Sequence, residues 1–130
     1  MKKINFIPKQ VILHFHEQLI ELYGGTPGIR DEQLLDSALE QPKSSFGSSF
    51  LNESIFEMAA AYGFHICKNH PFVDGNKRIS LVAMDTFLQE NGYEITASEK
   101  ETYKIIIALS SGEISKKELT EWLKENTESI

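Results

Sequence analysis

Residues 55–89 read IFEMAAAYGFHICKNHPFVDGNKRISLVAMDTFLQ, and this stretch decides the fold. Its first part, residues 55–69, places apolar side chains on nearly every face of a helix, which is typical of a helix buried at the centre of a domain. Its last part, residues 79–88, is again largely apolar at helical spacing. Pro71 disfavours helical geometry at His70. We therefore predict two central helices joined by a loop that begins at His70.

The flanking sequence predicts four further helices. The first begins at Pro8, whose fixed φ suits a first turn, and stops before Gly24. The second is capped by Asp31 and stopped by Pro42. Each of the last two helices opens with a capping box, in which a serine precedes a glutamate by three residues: Ser98 with Glu101, and Ser115 with Glu118.

Two segments interrupt the helical pattern. Residues 43–50, KSSFGSSF, form either a loop or a short hairpin flap, although a solvated connector has the same composition. Phe46 and Phe50 favour a segment that packs or contacts a partner. Residues 93–96 are expected to form a brief extended piece.

The chain as a whole is predicted to be an all-α single domain, residues 1–130, of about six helices and without a linker or internal repeat. The third helix begins at Asn52 or Ser54 and ends just before the loop. The fourth runs from about Asn76 to Gln89. A chain of this length buries enough surface to fold without a disulfide or a structural metal.

Composition restricts the classes of function. The chain has a formal net charge of -6 and one cysteine. The acidic balance argues against general nucleic-acid binding, which needs a basic surface. DNA binding through the last two helices stays an alternative that the acidic residues of the last helix disfavour: Glu118, Glu121, Glu125 and Glu128. No stretch could span a membrane, and the lone cysteine fits a reducing compartment, so we expect a cytoplasmic protein.

The loop that begins at His70 concentrates the chemistry of the chain. A histidine changes its protonation near neutral pH, so His70 could accept a hydroxyl proton. Asp74 offers the oxygen ligand that Mg²⁺ prefers. Gly75 allows a positive φ or a close approach of a ligand to the backbone. Phe72 is expected to anchor the loop in the core.

The residues after the glycine favour an anion site. Asn76 could cap the next helix or donate to a phosphate oxygen, and Lys77 and Arg78 add positive charge at a helix N-terminus. A structural interpretation stands beside this one, because a histidine before proline is commonly structural and Asp-Gly-Asn commonly forms a turn. The order of base, anchor, acid, glycine, amide and cations favours the phosphate site.

Residues 70–78, HPFVDGNKR, resemble the signature of the Fic/Doc superfamily, H-x-F-x-D/E-G-N-G-R-x-x-R. Lys77 stands where that signature has its second glycine, and Leu81 stands at its last arginine. Doc (death-on-curing) toxins show both departures, so the motif resembles this branch of the superfamily more closely. Residues 22–42 also resemble the N-terminal part of Doc-like proteins, so the resemblance covers nearly the whole chain.

The resemblance implies a toxin of a toxin–antitoxin pair. Doc toxins are kinases that use ATP and Mg²⁺ to phosphorylate elongation factor Tu, which stalls translation, and a cognate antitoxin with a disordered tail restrains them. Fic relatives transfer AMP instead, and that activity is the first alternative. Lys77 and the missing second arginine at Leu81 favour the kinase. An inactive member that only binds a partner is the other alternative, which the complete set of polar groups disfavours.

Carried over by position, the resemblance implies a role for each residue of the loop. His70 would deprotonate the target hydroxyl, Asp74 would ligate Mg²⁺, and Gly75 would shape the loop. The phosphates would be held by the three residues that follow: Asn76, Lys77 and Arg78. Lys77 and Arg78 would also stabilise the charge that develops during transfer, and residues 43–50 would be the flap that docks the target.

The remaining polar residues receive structural interpretations. His65 could pair with His70 on a metal, but their spacing does not suit one helix face, and a core or supporting role is preferred. Cys67 is expected to be an inert core residue. His14 and His16 are assigned no catalytic role. Arg30 resembles a family position near the site.

Overall fold

The domain is built around one central helix, as the computed structural model shows for the residues it describes, 3–47 and 49–130. The α-helices of this part of the chain are α1 (Lys9–Tyr23), α2 (Glu32–Glu40), α3 (Ile55–Asn69), α4 (Asn76–Glu90), α5 (Glu99–Ser110) and α6 (Lys116–Glu125). A short 3-10 helix, Gln41–Lys43, follows α2. Helix α3 packs against α2, α4, α5 and α6. The predicted all-α fold of about six helices is confirmed.

Small residues on α3 allow its neighbours to approach closely. Ala59, Ala60 and Ala61 are fully buried. A β-carbon added at Gly63 would lie 3.3 Å from the Met84 sulfur on α4 and 3.4 Å from a Leu119 methyl on α6. Because packed interiors leave few voids, a larger residue at this position would have to displace the Met84 or Leu119 side chain.

Side-chain caps fix where the helices begin. Asp31 accepts a hydrogen bond from the Leu34 N–H, and Ser54, rather than Asn52, caps α3. The capping box predicted at Ser115 is confirmed. The one predicted at Ser98 is incomplete.

At Ser98 the serine hydroxyl accepts from the Glu101 N–H but also donates to the Glu101 carboxylate, at 3.1 Å in each case. The Glu101 carboxylate therefore accepts from the Ser98 hydroxyl, and the Ser98 backbone N–H does not donate to it. One half of the box suffices to start α5.

Two short antiparallel pairs of strands lie at the surface of the described part of the chain. Strands β1 (Ser45–Phe46) and β2 (Ser49–Phe50) form the predicted flap hairpin. Position 48 and the side chain of Phe46 lie outside what the structure describes. The Phe50 ring packs on Phe6, with ring centroids 5.8 Å apart.

The second pair joins the predicted extended piece to the C-terminal segment. Strand β3 (Tyr93–Ile95) pairs with β4 (Thr127–Ser129), which the sequence did not predict. Three residues of polar character, Thr-Glu-Ser, carry no apolar alternation from which a strand could be recognised. Among the described residues, no helix is both long and apolar enough to cross a membrane.

Candidate functional site

The loop between α3 and α4 begins with His70 in a left-handed conformation. Its φ is 49° and its ψ is 54°, which makes it the one described residue other than glycine with a positive φ. The Arg30 side chain holds this strained backbone, because its Nε donates to the His70 carbonyl at 2.7 Å and its Nη2 donates to the Asn69 carbonyl at 2.9 Å. A cation at the C-terminal carbonyls also suits the dipole of α3. Arg30 therefore stabilises the backbone conformation at His70.

A short segment before α2 pairs with the loop along its length. The N–H groups of Arg30 and Asp31 both donate to the Pro71 carbonyl, at 2.7 and 3.1 Å. The Val73 N–H donates to the Gly28 carbonyl at 3.1 Å. This ladder binds the loop to a segment that lies some forty positions earlier in the chain.

Phe72 and Asn76 close the loop on itself. The Phe72 side chain is 1% exposed, as expected for an anchor. Its N–H donates to the Asn76 Oδ1 at 3.0 Å, and the Asn76 Nδ2 donates back to the Phe72 carbonyl at 2.9 Å. The Asn76 side chain therefore holds the loop together and does not cap α4, whose N-cap is Gly75. Its Nδ2 carries a second N–H, so a bond from Asn76 to a phosphate oxygen stays a prediction.

The first turn of α4 has no side-chain cap. Its N-cap is Gly75, at a φ of 79°, and no side chain there accepts a hydrogen bond from the helix. The first N–H groups of any helix lack partners within it and favour an anion. These groups belong to Asn76, Lys77 and Arg78, so Asn76 can serve an anion through its backbone.

His16 of α1 supports the loop from below. The buried imidazole stacks on Phe72, with ring centroids 3.8 Å apart and planes inclined by 11°. Its Nε2 donates to the Asp74 carbonyl oxygen at 2.7 Å. The sequence contains a signal for this supporting role, because His16 follows the apolar Ile12 by one helical turn. The role is structural, and we assign no catalytic function to His16.

Asp74 presents its carboxylate at the surface of the loop. The Thr26 N–H donates to its Oδ2 at 2.7 Å, which fixes the side chain, and His16 fixes its backbone. Glycine suits position 25, because its φ is 115° and a β-carbon there would lie 3.3 Å from the Asp74 Cβ. The Oδ2 atom thus accepts a hydrogen bond that orients the carboxylate. The Asp74 side chain is still exposed, so a ligand can reach the carboxylate.

Arg78 lies over two aromatic rings. Its guanidinium carbon is 3.7 Å from the centroid of Tyr23 and 4.9 Å from that of Tyr103. Lys77 is exposed beside it. These cations and the loop line a cleft of about 570 Å³ together with residues that include His70, Asp74 and Gly75. The cleft brings together all the predicted site residues except Phe72, which lies beneath it.

The cysteine that reaches this cleft is tied to the core. The Cys67 thiol donates to the Ser80 hydroxyl at 3.3 Å, and that hydroxyl donates to the Gly63 carbonyl at 2.6 Å. Burial raises the pKa of the Cys67 thiol, so the nucleophilic thiolate is disfavoured. Among residues 3–47 and 49–130, no three His, Cys, Asp or Glu side chains cluster as a metal site would require.

His65 is half-buried on α3, edge-on to the Phe64 ring. Burial, followed by the charges of Lys116 and Lys68, lowers its pKa to about 4. An unfolded histidine titrates near pH 6.5, so protons bind the unfolded chain first as the pH falls. Stability linked to His65 is thus complete above about pH 6.5 and is lost as the pH falls towards 4.

We therefore expect the His65→Gln variant to lose less stability than the wild type between about pH 7 and about pH 5. Urea unfolding at both values measures the difference. The exposed His14→Gln variant controls for the loss of one imidazole. An equal loss of stability in wild type and His65→Gln would contradict this assignment.

Fold and site together define an all-α domain in which an uncapped helix N-terminus faces a cleft beside a histidine and a carboxylate. The Fic/DOC family model matches residues 6–88, and the chain belongs to this family. Two relatives are similar to it. The toxin Doc of Mycolicibacterium smegmatis is 36% identical over 75 residues, which are 58% of this chain and 58% of that protein. The protein kinase doc of Escherichia phage P1 is 26% identical over 118 residues, 91% of this chain and 92% of that protein.

Proposed function

We propose that the protein is a toxin kinase, which transfers the γ-phosphate of ATP to a serine or threonine hydroxyl of a target protein. The observation that carries this proposal is the cleft, in which His70 and Asp74 flank the uncapped N-terminus of α4 with Lys77 and Arg78. The names of the two relatives, a toxin and a protein kinase, support the same activity.

The chemistry assigns a role to each group. The target hydroxyl attacks the γ-phosphorus, its proton passes to the His70 imidazole, and the bond from that phosphorus to the ADP oxygen breaks. Lys77, Arg78 and the first N–H groups of α4 stabilise the negative charge of the phosphates during transfer. The His70 side chain suits a base because it is exposed and forms no hydrogen bond with any described residue.

The residues present fit Mg²⁺ as a partner of the nucleotide. Mg²⁺ in phosphoryl-transfer sites is commonly held by one or two carboxylates together with substrate phosphates and waters. Asp74 supplies one exposed carboxylate that is already oriented by the Thr26 N–H. When bound, the ion would neutralise phosphate charge and favour departure of ADP.

AMP transfer is the second candidate. It is favoured by Gly75 and Asp74, which match the Fic signature. Lys77 and Leu81 favour the kinase, since a lysine adds a point charge to the anion loop and a leucine cannot clamp phosphates with two parallel hydrogen bonds. Leu81 is half-buried on α4 and does not line the cleft.

We further propose elongation factor Tu as the target and an antitoxin as the regulating partner. The β1–β2 flap would dock an extended segment of the target through backbone hydrogen bonds. The disordered tail of the antitoxin would fold on the toxin as it binds. Both partners follow from the resemblance to Doc toxins.

The proposal is tested by intact mass. Elongation factor Tu incubated with the protein, ATP and Mg²⁺ is expected to gain a phosphate-sized increment, which disappears when EDTA replaces Mg²⁺. The His14→Ala variant, altered at an exposed histidine outside the cleft, should transfer as the wild type does. An AMP-sized increment would replace the kinase by the transferase, and no increment would contradict this target.

A further inference from the structure

Arg78 is held by aromatic faces rather than by a carboxylate. Tyr23 ends α1 and Tyr103 lies on α5, and we call these two rings the tyrosine clamp. The Arg78 guanidinium carbon lies 3.7 Å from the first ring centroid and 4.9 Å from the second. Within the described residues, no Asp or Glu oxygen comes within ion-pair distance of Arg78.

The way an arginine is held decides what it can still bind. A ring attracts the face of a guanidinium, whereas the five N–H donors point outward in the guanidinium plane. A carboxylate would occupy those donors and neutralise the charge. Arg30, the other arginine of the chain, shows the contrast, because two of its donors bind the His70 and Asn69 carbonyls.

We infer that Tyr23 and Tyr103 are positioning residues, which hold the Arg78 guanidinium by its faces so that its N–H edge stays open to a phosphate oxygen in the cleft. The phosphate part of this inference rests on the proposed function. The contacts of the tyrosine clamp with Arg78 are present without a ligand and do not depend on the proposed function. It also explains why an aromatic residue that is 50% exposed, Tyr23, lies at the mouth of a charged cleft.

The clamp is tested first without any ligand. Two arginines give two Nε–H signals in a nitrogen-15 spectrum, and the Arg78→Lys variant identifies the signal of Arg78. Ring currents should shift that signal, and Tyr23→Leu should return it towards the position of a free arginine. Tyr23→Phe, which keeps the ring, should preserve the shift. An unshifted Arg78 signal in the wild type would overturn the clamp, while the Arg30 signal reports whether each variant is folded.

The purpose of the clamp is tested with tripolyphosphate, a ligand without a base or a sugar. Tyr23→Leu and Tyr103→Leu are each expected to weaken its binding about fivefold, and the corresponding phenylalanine variants should bind as the wild type does. In an Arg78→Ala background, Tyr23→Leu should have no further effect. An equal loss in both backgrounds would overturn the positioning role.

Two other outcomes identify competing explanations. If Tyr23→Leu weakens binding of adenosine but not of tripolyphosphate, Tyr23 stacks on the nucleobase and the inference fails. If the wild type binds neither ATP nor tripolyphosphate, the proposed anion site fails, and with it the phosphate part of the inference. The shift of the Arg78 signal still decides in that case whether the clamp exists.

Discussion

Replacing His70 by Ala is expected to reduce phosphoryl transfer by a factor of about 10² to 10⁴, the usual contribution of a general base. Nucleotide affinity should change little, because the groups proposed to hold phosphate belong to Lys77, Arg78 and the first turn of α4. The measurement pairs the initial rate of transfer with the dissociation constant for ATP. A selective loss of rate would establish His70 as a group that acts on the reacting hydroxyl.

The backbone at His70 requires a matched control. Its left-handed φ of 49° is tolerated better by Asn than by other residues with a β-carbon. His70→Asn therefore keeps the loop conformation and removes the base. Both variants should lose the same activity, and a His70→Asn protein with the wild-type rate would remove His70 from this role.

Replacing Phe72 by Ala is expected to lower the free energy of unfolding by about 3–5 kcal/mol. The ring is 1% exposed and stacks on His16, so its removal leaves a cavity beneath the loop as well as unstacking the imidazole. Such a loss is a large share of the roughly 5–15 kcal/mol that stabilises a typical domain. Urea unfolding followed by circular dichroism measures it.

The neighbouring Val73 offers the control for Phe72. It lies in the same loop, but its side chain is 42% exposed. Val73→Ala should therefore change stability by no more than about 0.5 kcal/mol. A similar loss in both variants would mean that the loop backbone, and not the buried ring, determines the effect.

Most of the fold could be predicted because local signals agree with the tertiary structure. The apolar faces of α3 are visible in the sequence, and Asp31, Ser54 and Ser115 mark helix starts where the structure has them. The end of α3 follows from Pro71. Strand β4 could not be predicted, because its pairing with β3 is a tertiary contact without a local pattern.

The site was only partly predictable, and the reason is physical. The motif indicates which groups are proposed to carry chemistry, but the groups that orient them lie elsewhere in the sequence. Arg30, His16 and Tyr103 contact the loop or Arg78 from distant parts of the sequence, and their residue types have many ordinary roles. Asn76 shows the opposite case, because this polar residue lies inside the motif and its amide also holds the loop together.

The hydrogen bonds that join the loop to the N-terminal part of the chain have a consequence for truncated chains. The bond from His16 to the Asp74 carbonyl spans 58 positions, and the bond from Arg30 to the His70 carbonyl spans 40. A peptide of residues 55–90 would contain the whole signature but neither of these ties, so its histidine would lose the bond that stabilises its left-handed backbone. A gene fragment that preserves the signature would therefore be recognised by a motif search and yet encode a polypeptide without the bonds that shape the loop.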